Sequence, residues 1–137
     1  MMQYELKVDT GAINVPIIDE KDGEVIGTFK FNPNDLDIVK RYPKVVEQLE
    51  KVQLPDEADV ETFVKVSDDV KSAMDYLLNY KVSDDLFAKC NPFTLTSNGK
   101  FYVENVVEGI ASIIEQVTGK RIEAKQKKIA EATKGYQ

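Results

Sequence analysis

The stretch CNPFTLTSNGKFY, residues 90–102, holds the chain's one cysteine and is the first candidate for chemistry. A catalytic cysteine needs a neighbouring base or cation that lowers its pKa, and the sequence contains no histidine. A small buried apolar residue would serve equally well at Cys90. We therefore interpret Cys90 as structural and residues 90–102, called the clip below, as a structural element.

Other groups of potentially reactive residues are also interpreted as structural. One cysteine and no histidine cannot form the usual zinc sites. In the loop DEKDGE (19–24), Lys21 interrupts the alternate oxygen ligands that a calcium loop needs, so a hairpin tip is expected. Asp68 and Asp69 are adjacent on a predicted helix, where adjacent side chains diverge. We expect no enzyme activity, no metal site and no cofactor.

The composition is typical of one soluble domain. The chain has 137 residues, of which 42% are hydrophobic and 31% are charged. It has no apolar run near the roughly 20 residues that span a bilayer, and MMQYELKVDTG does not resemble a signal peptide. These observations predict a cytoplasmic protein that does not bind membranes.

Charge is distributed unevenly along the sequence. From Lys120 onward six basic residues face two acidic ones, a net charge of +4, which leaves −10 for residues 1–119. The tail is therefore expected to meet an acidic surface, in another copy of the chain or in another protein. Nucleic acid is not expected as a partner, because the acidic remainder would repel phosphates.

The pattern of apolar residues predicts an α+β fold. We expect a globular domain over residues 1–119, with an antiparallel β-meander in 1–31, mainly helices in 32–119 and a linker at 53–59. A basic helical tail is expected at 120–137, either ordered by a partner or merely solubilising. The three expected strands are YELKV at 4–8, AINVPII at 12–18 and EVIGTFKF at 24–31.

The first two helices are located by capping residues and helical periodicity. Asn32 or Asn34 is expected to cap the first helix, Pro43 to kink or break it, and Asp59 to cap the second. The apolar faces are marked by Leu36, Val39 and Tyr42 before Pro43, by Val45, Val46, Leu49 and Val52 in the stretch after it, and by Val60, Phe63, Val64, Val70, Met74, Leu77 and Leu78 in the second helix.

The clip is predicted to be a hairpin between a short helix capped by Ser83 and the best-defined helix of the chain, VENVVEGIASIIEQVTGKR. Gly119 is expected to end that helix, and Gly109 within it indicates that another backbone approaches there. The clip residues expected to pack on the helices are Phe93, Leu95, Phe101 and Val103.

A partner-binding surface is expected where the clip, the following helix and the tail combine. A groove between helical faces with aromatic side chains beside it would suit an amphipathic helix. The candidate residues are Phe93, Phe101, Val106, Ile110, Ile114, Lys125, Lys127 and Lys128.

The order of features resembles the small tail assembly chaperones of long-tailed phages that infect Gram-positive bacteria. The resemblance lies in VPIIDEKDGEVIGTFKFNPNDLDIVKRY (15–42) and CNPFTLTSNGKFYVENVVEGIASIIEQVTGKR (90–121), followed by IEAKQKKIAEATKGY (122–136). It implies a non-catalytic protein that binds the phage tape measure protein and keeps it soluble until the tail tube assembles. Such a protein would self-associate, act in the host cytoplasm and be absent from the mature virion.

Two other functions remain open from the sequence. The chain could be a structural tail or connector subunit of the virion, or an acidic inhibitor that mimics DNA and blocks a host protein. A continuous row of carboxylates would favour the inhibitor, and interleaved lysines would weaken it.

Overall fold

A computed structural model of the chain describes residues 3–52 and 59–134, with side chains described through residue 119. An antiparallel two-stranded hairpin is followed by helices, which confirms the α+β class. The elements are β1 (Ile13–Ile18), β2 (Val25–Phe31), α1 (Ile38–Glu50), α2 (Val60–Leu78), α3 (Ser83–Leu86) and α4 (Tyr102–Lys134).

The hairpin turns one apolar face toward the helices. Ile13 pairs with Phe31 and Val15 with Phe29, and the two phenylalanine side chains are buried. Gly23, with φ +74°, closes the turn between the strands, as the sequence of the loop predicts. The hairpin therefore covers one side of the core.

Residues 3–12 form no strand, so the predicted three-strand meander is wrong, and the sheet consists of β1 and β2 among the residues that the structure describes. Alternating apolar residues favour a strand only where a neighbouring edge accepts them. Here Tyr4 and Leu6 are 87% and 89% exposed. Residues 9–12 are held in a turn instead, in which the N–H of Gly11 donates to the Asp9 carboxylate.

Helix α1 begins later than predicted and is not divided by its proline. The two asparagines proposed as caps lie before it, and Asp37 precedes its first residue. Pro43 lacks one backbone N–H, but Ile38 and Val45 on either side of it are both buried. Their contacts with the core keep the helix continuous through Pro43.

The inward face of α1 also differs from the prediction. Leu36 and Val39 are each 71% exposed, and Tyr42 is exposed as well. Arg41 occupies an inward position, where its Nε donates to the Leu77 carbonyl oxygen at 2.9 Å. The predicted face before Pro43 therefore points away from the core, whereas Val45 after it is buried, in agreement with the prediction for that stretch.

Arg41 also forms an ion pair with Asp35, at 2.6 Å between Nη2 and Oδ2. Burial acts to raise the pKa of the Asp35 carboxyl, but hydrogen bonds from Arg41 and the Asp37 backbone, with the charge of Arg41, outweigh it. The pKa of Asp35 is therefore below its ordinary value of 3.8. The ion pair holds Asp35, in the chain that enters α1, against Arg41, and the hydrogen bond from Arg41 to Leu77 connects both to the end of α2.

We predict that Asp35→Asn lowers the free energy of unfolding by about 1–2 kcal/mol at neutral pH. Since the folded state lowers the pKa of Asp35, its stabilising effect is present above the ordinary pKa and disappears as the pH falls through the folded value. Urea unfolding at several pH values should show the difference from wild type shrinking below about pH 4. Asp37→Asn, at an exposed ion pair, is the control, and a pH-independent difference would contradict the assignment.

Helix α2 begins as predicted, because the Asp59 carboxylate accepts from the N–H groups of Glu61 and Thr62. Its core face matches the prediction at Val70, Met74, Leu77 and Leu78, whereas Val60 and Val64 are exposed. The linker expected at 53–59 lies outside the described residues except for Asp59.

Helix α3 is not capped by Ser83, which is its first helical residue. The carboxylate of Asp75 in α2 instead accepts from the backbone N–H groups of Val82 and Ser83, both at 2.8 Å, and from the Ser83 hydroxyl. This contact between helices could not be identified from local capping patterns. It positions Leu86 and Phe87, which are buried as expected.

Helix α4 continues through Gly119 to Lys134, so the predicted C-terminal cap is wrong. A helical glycine costs only about 1 kcal/mol, and the residues after it are mostly good helix formers. The tail therefore extends α4 and does not form a separate helix. Within the described ranges, no helix combines the length and apolar character needed to cross a membrane.

The core is a single cluster built by both β2 and the helices. Its β2 members, Phe29 and Phe31, stack at 5.5 Å between ring centroids. The other buried members are Ile38, Val45, Val70, Ala73, Met74, Leu77, Leu78, Val82, Leu86, Phe87, Val103, Val107 and Ile110.

Candidate partner-binding site

The clip forms the N-terminal cap of α4. The Tyr102 N–H donates to the Thr94 carbonyl oxygen at 2.8 Å, and the Val103 N–H to the Pro92 carbonyl oxygen at 2.9 Å. The Glu104 carboxylate accepts from the Phe101 N–H, which is one half of a capping box. Most of the first N–H groups of α4 are thus satisfied by the clip.

The hairpin of the clip is shorter than predicted. Its strands meet only at an isolated bridge between Leu95 and Phe101. The Thr96 N–H donates to the Lys100 carbonyl oxygen, and Gly99 between them has φ +81°. This geometry indicates a three-residue turn at residues 97–99. Leu95 is 68% exposed, so its expected packing on the helices is wrong.

One groove lies beside the clip, and we call it the clip groove. Leu49 in α1 and Val52, two residues after that helix ends, line the groove together with Phe93 and Phe101 of the clip. Val103 lines the groove as well. Its volume is about 370 Å³. The rings of Phe93 and Phe101 meet edge to face, with centroids 5.7 Å apart, a favourable aromatic geometry.

The clip groove has acidic residues in its wall. Glu50 and Glu104 line it, and both are exposed. Nearby, a hydrogen bond from Lys100 to Glu108 at 2.5 Å, with the charge of Glu108, raises the pKa of Lys100. An apolar groove with carboxylates beside it suits a partner that carries basic residues next to apolar ones.

A second groove runs between β1 and α4, and we call it the hairpin groove. Residues 15–18 form one wall, and Tyr102, Val106, Gly109 and Ile113 contribute to the other. Its volume is about 270 Å³, and its lining carries no charged side chain. The Tyr102 hydroxyl donates to the Leu86 carbonyl oxygen at 2.9 Å, and burial, with the nearby Cys90, raises the pKa of Tyr102.

The structure separates the eight residues predicted to form one surface. Two line the clip groove, namely Phe93 and Phe101. Val106 and Ile110 line the hairpin groove, and Ile114 is partly buried against the core. The side chains of Lys125, Lys127 and Lys128 lie outside those described, although their backbone belongs to α4. Four of the five apolar candidates therefore divide between the two grooves, and Ile114 lines neither.

Gly109 does not mark the close backbone approach that was expected. A Cβ atom placed on it would have no atom within 4 Å, whereas at Gly27 it would lie 2.8 Å from the Asp85 carbonyl oxygen. The close approach in this fold is therefore at Gly27, between β2 and α3. Sequence position alone cannot distinguish these two glycines, because the neighbour of each comes from elsewhere in the chain.

We predict that Gly109→Ala raises the free energy of unfolding by about 1 kcal/mol, because alanine favours the helix and has room for its methyl group. Urea denaturation monitored by circular dichroism would measure the change. Ser112→Ala, at an exposed α4 position near it, is a suitable control for surface substitution. A destabilised Gly109→Ala variant would contradict the open space at this position.

Residues other than those predicted also shape the grooves, including Leu49, Tyr102 and Glu104. Glutamate at the third position of a helix is a known capping signal and could have identified Glu104. Cys90 is partly buried and has a free thiol. Among the described side chains, no three acidic or cysteine residues are grouped closely enough to hold a metal ion.

The chain was compared with models of known protein families, with curated proteins and with solved structures. No family model matches the chain, and neither do curated proteins or solved structures.

Proposed function

We propose that this chain is a non-catalytic phage tail assembly chaperone, which binds the tape measure protein in the host cytoplasm and is absent from the finished virion. The observation that carries the proposal is the clip groove, an apolar groove with an edge-to-face aromatic pair and two exposed glutamates. The resemblance to the chaperone family in residues 15–42 and 90–136 supports it.

The clip groove would bind the apolar stripe of an amphipathic helix. Such helices present anchors at positions i, i+3, i+4 and i+7, and a groove accommodates them by side-chain packing. Phe93 and Phe101 would contact the anchors. Glu50 and Glu104 would pair with basic residues beside them. A long helical tape measure protein would offer several such segments in succession.

Self-association would let several copies follow one partner. All six basic residues from Lys120 onward belong to α4, which extends roughly 20 Å beyond Gly119 at 1.5 Å per residue. Residues 1–119 carry −10. The basic end of one copy would thus be attracted to the acidic body of the next, and high salt would weaken this contact.

The test is co-expression of the chain with the tape measure protein of the same phage. We expect the tape measure protein to shift from the pellet to the soluble fraction and to co-elute with the chain. Mass spectrometry of purified virions should not detect the chain. An insoluble tape measure protein beside a soluble, unbound chain would refute the proposal. Detection of the chain in purified virions would favour a structural subunit of the tail or connector.

The structure gives no particular support to the DNA-mimic alternative. Along the exposed side of α2, Lys65 lies between Glu61 and Asp69. Asp75 is engaged with α3 and not with solvent alone. The acidic residues of this helix are thus interrupted, whereas a mimic of DNA needs a regular series of negative charges.

A further inference from the structure

We infer that two copies of this chain associate by exchanging residues 3–8, each copy placing Tyr4, Leu6 and Val8 in the hairpin groove of the other. The occupant is thus a second copy of the chain, and the interface is distinct from the clip groove. The inference does not depend on the identity of the partner proposed above.

The 3–8 segment has the side-chain pattern of a strand but lacks a strand's neighbour. Tyr4, Leu6 and Val8 alternate with polar residues and are all strongly exposed. On the other face, Lys7 and Glu5 pair at 3.7 Å. One face of the segment is therefore wholly apolar, and exposed apolar side chains at this density are typical of an interaction surface.

The hairpin groove provides a site of matching length and chemistry. Both the segment and β1 have six residues, about 20 Å when extended. The groove lining is uncharged, and the open space above Gly109 leaves room for a large side chain. In this structure the segment does not pair with its own hairpin, and the residues between them form local hydrogen bonds, from the Gly11 N–H to Asp9 and from the Ala12 N–H to Thr10.

Pro16 defines how the segment would lie against β1. Because proline has no N–H, the outer edge of β1 cannot offer a complete set of donors to another strand. Binding would therefore rely on side chains in the groove more than on a backbone ladder. The same proline limits continued edge-to-edge addition of further copies, so a closed pair is expected.

The area involved is sufficient only if the exchange is reciprocal. An extended chain exposes about 1.45 Å² per dalton, which gives roughly 1,000 Å² for six residues of average mass. Burying half of this, with an equal area of the groove, removes about 1,000 Å² per segment, near the lower limit for specific interfaces. Two segments remove about 2,000 Å², as in stable dimers.

Cross-linking between distinguishable chains would test the exchange. In a Cys90→Ser background, isotope-labelled Lys7→Cys would be mixed with unlabelled Ile18→Cys and treated with a short thiol cross-linker. Both substituted positions are exposed, and Lys7 lies on the face opposite to the three apolar anchors. We expect a product that contains one chain of each mass. Linkage within one chain only, in the Lys7→Cys/Ile18→Cys double variant, would overturn the proposal.

Light scattering on the full chain provides the second readout. Leu6→Ser should weaken dimerisation at least tenfold, and Lys7→Gln on the opposite face should have little effect. At a protein concentration low enough for both wild type and Leu6→Ser to be monomeric, their unfolding midpoints should agree. Gly109→Leu, which would fill the groove, should also weaken it. The dimer should persist in high salt, unlike the contact made by the basic end of α4. A wild-type monomer at all concentrations, or a dimer unaffected by Leu6→Ser, would refute the exchange.

Discussion

Gly27→Ala is expected to lower the free energy of unfolding by about 2–3 kcal/mol, a large fraction of the stability of a domain of this size. The new Cβ atom would lie 2.8 Å from the Asp85 carbonyl oxygen and 3.4 Å from the Ile17 side chain. Since the nearest atom belongs to the backbone, β2 and α3 would have to separate. Urea denaturation of the purified variant would measure the loss.

Gly109→Ala is the matched control, because the same methyl group is added where nothing lies within 4 Å. The two substitutions should change stability in opposite directions. If Gly27→Ala were as stable as wild type, β2 and α3 would not be packed as closely as the structure describes. The hairpin groove should also be altered in this variant, because Ile17 forms part of its wall.

If the chain acts as the proposed chaperone, Phe101→Ser is expected to weaken binding of the tape measure protein by about 30-fold, the effect of losing one interface hot spot. The substitution removes half of the aromatic pair in the clip groove. Serine is a favourable residue before the first turn of a helix, so α4 should still begin at Tyr102. Pull-down from cells that express both proteins, followed by titration of the purified complex, would measure the loss.

Leu95→Ser is the control for Phe101→Ser, because Leu95 belongs to the same clip and is exposed away from the groove. The Leu95→Ser variant should bind the tape measure protein as tightly as wild type does. Glu50→Lys changes an exposed residue of the groove wall and should weaken binding without disturbing the core. If Glu50→Lys and Phe101→Ser both bound normally while folded, the clip groove would not be the binding site.

Some elements were predicted well from local interactions, although the caps proposed for α1 and α3 and the end proposed for α4 were wrong. Asp59 caps α2 through N–H groups two and three residues away. The pattern of the clip identified Val103 as a residue that packs on the helices, and it is buried. Predictions failed where the deciding neighbour is distant in sequence, as for Arg41, which binds a carbonyl oxygen at the end of α2.

The candidate site was predicted in part. The clip was correctly identified as a structural element beside the start of α4, and its two phenylalanines do lie in one groove. Periodicity alone could not reveal that Val106 and Ile110 belong to a different groove. Successive side chains of a helix point in directions about 100° apart, so one helix presents several faces. Only the packing of the other elements decides what flanks each face.

Composition, periodicity and capping residues by themselves determined the α+β class, the two paired strands, the start of α2 and the uneven distribution of charge. These features depend on residues close together in the chain or on simple counts. Only the tertiary structure decided that residues 3–8 have no strand partner, that Gly27 and not Gly109 is the crowded glycine, and that two grooves flank α4. Each depends on which distant segments meet, and a local pattern does not contain that information.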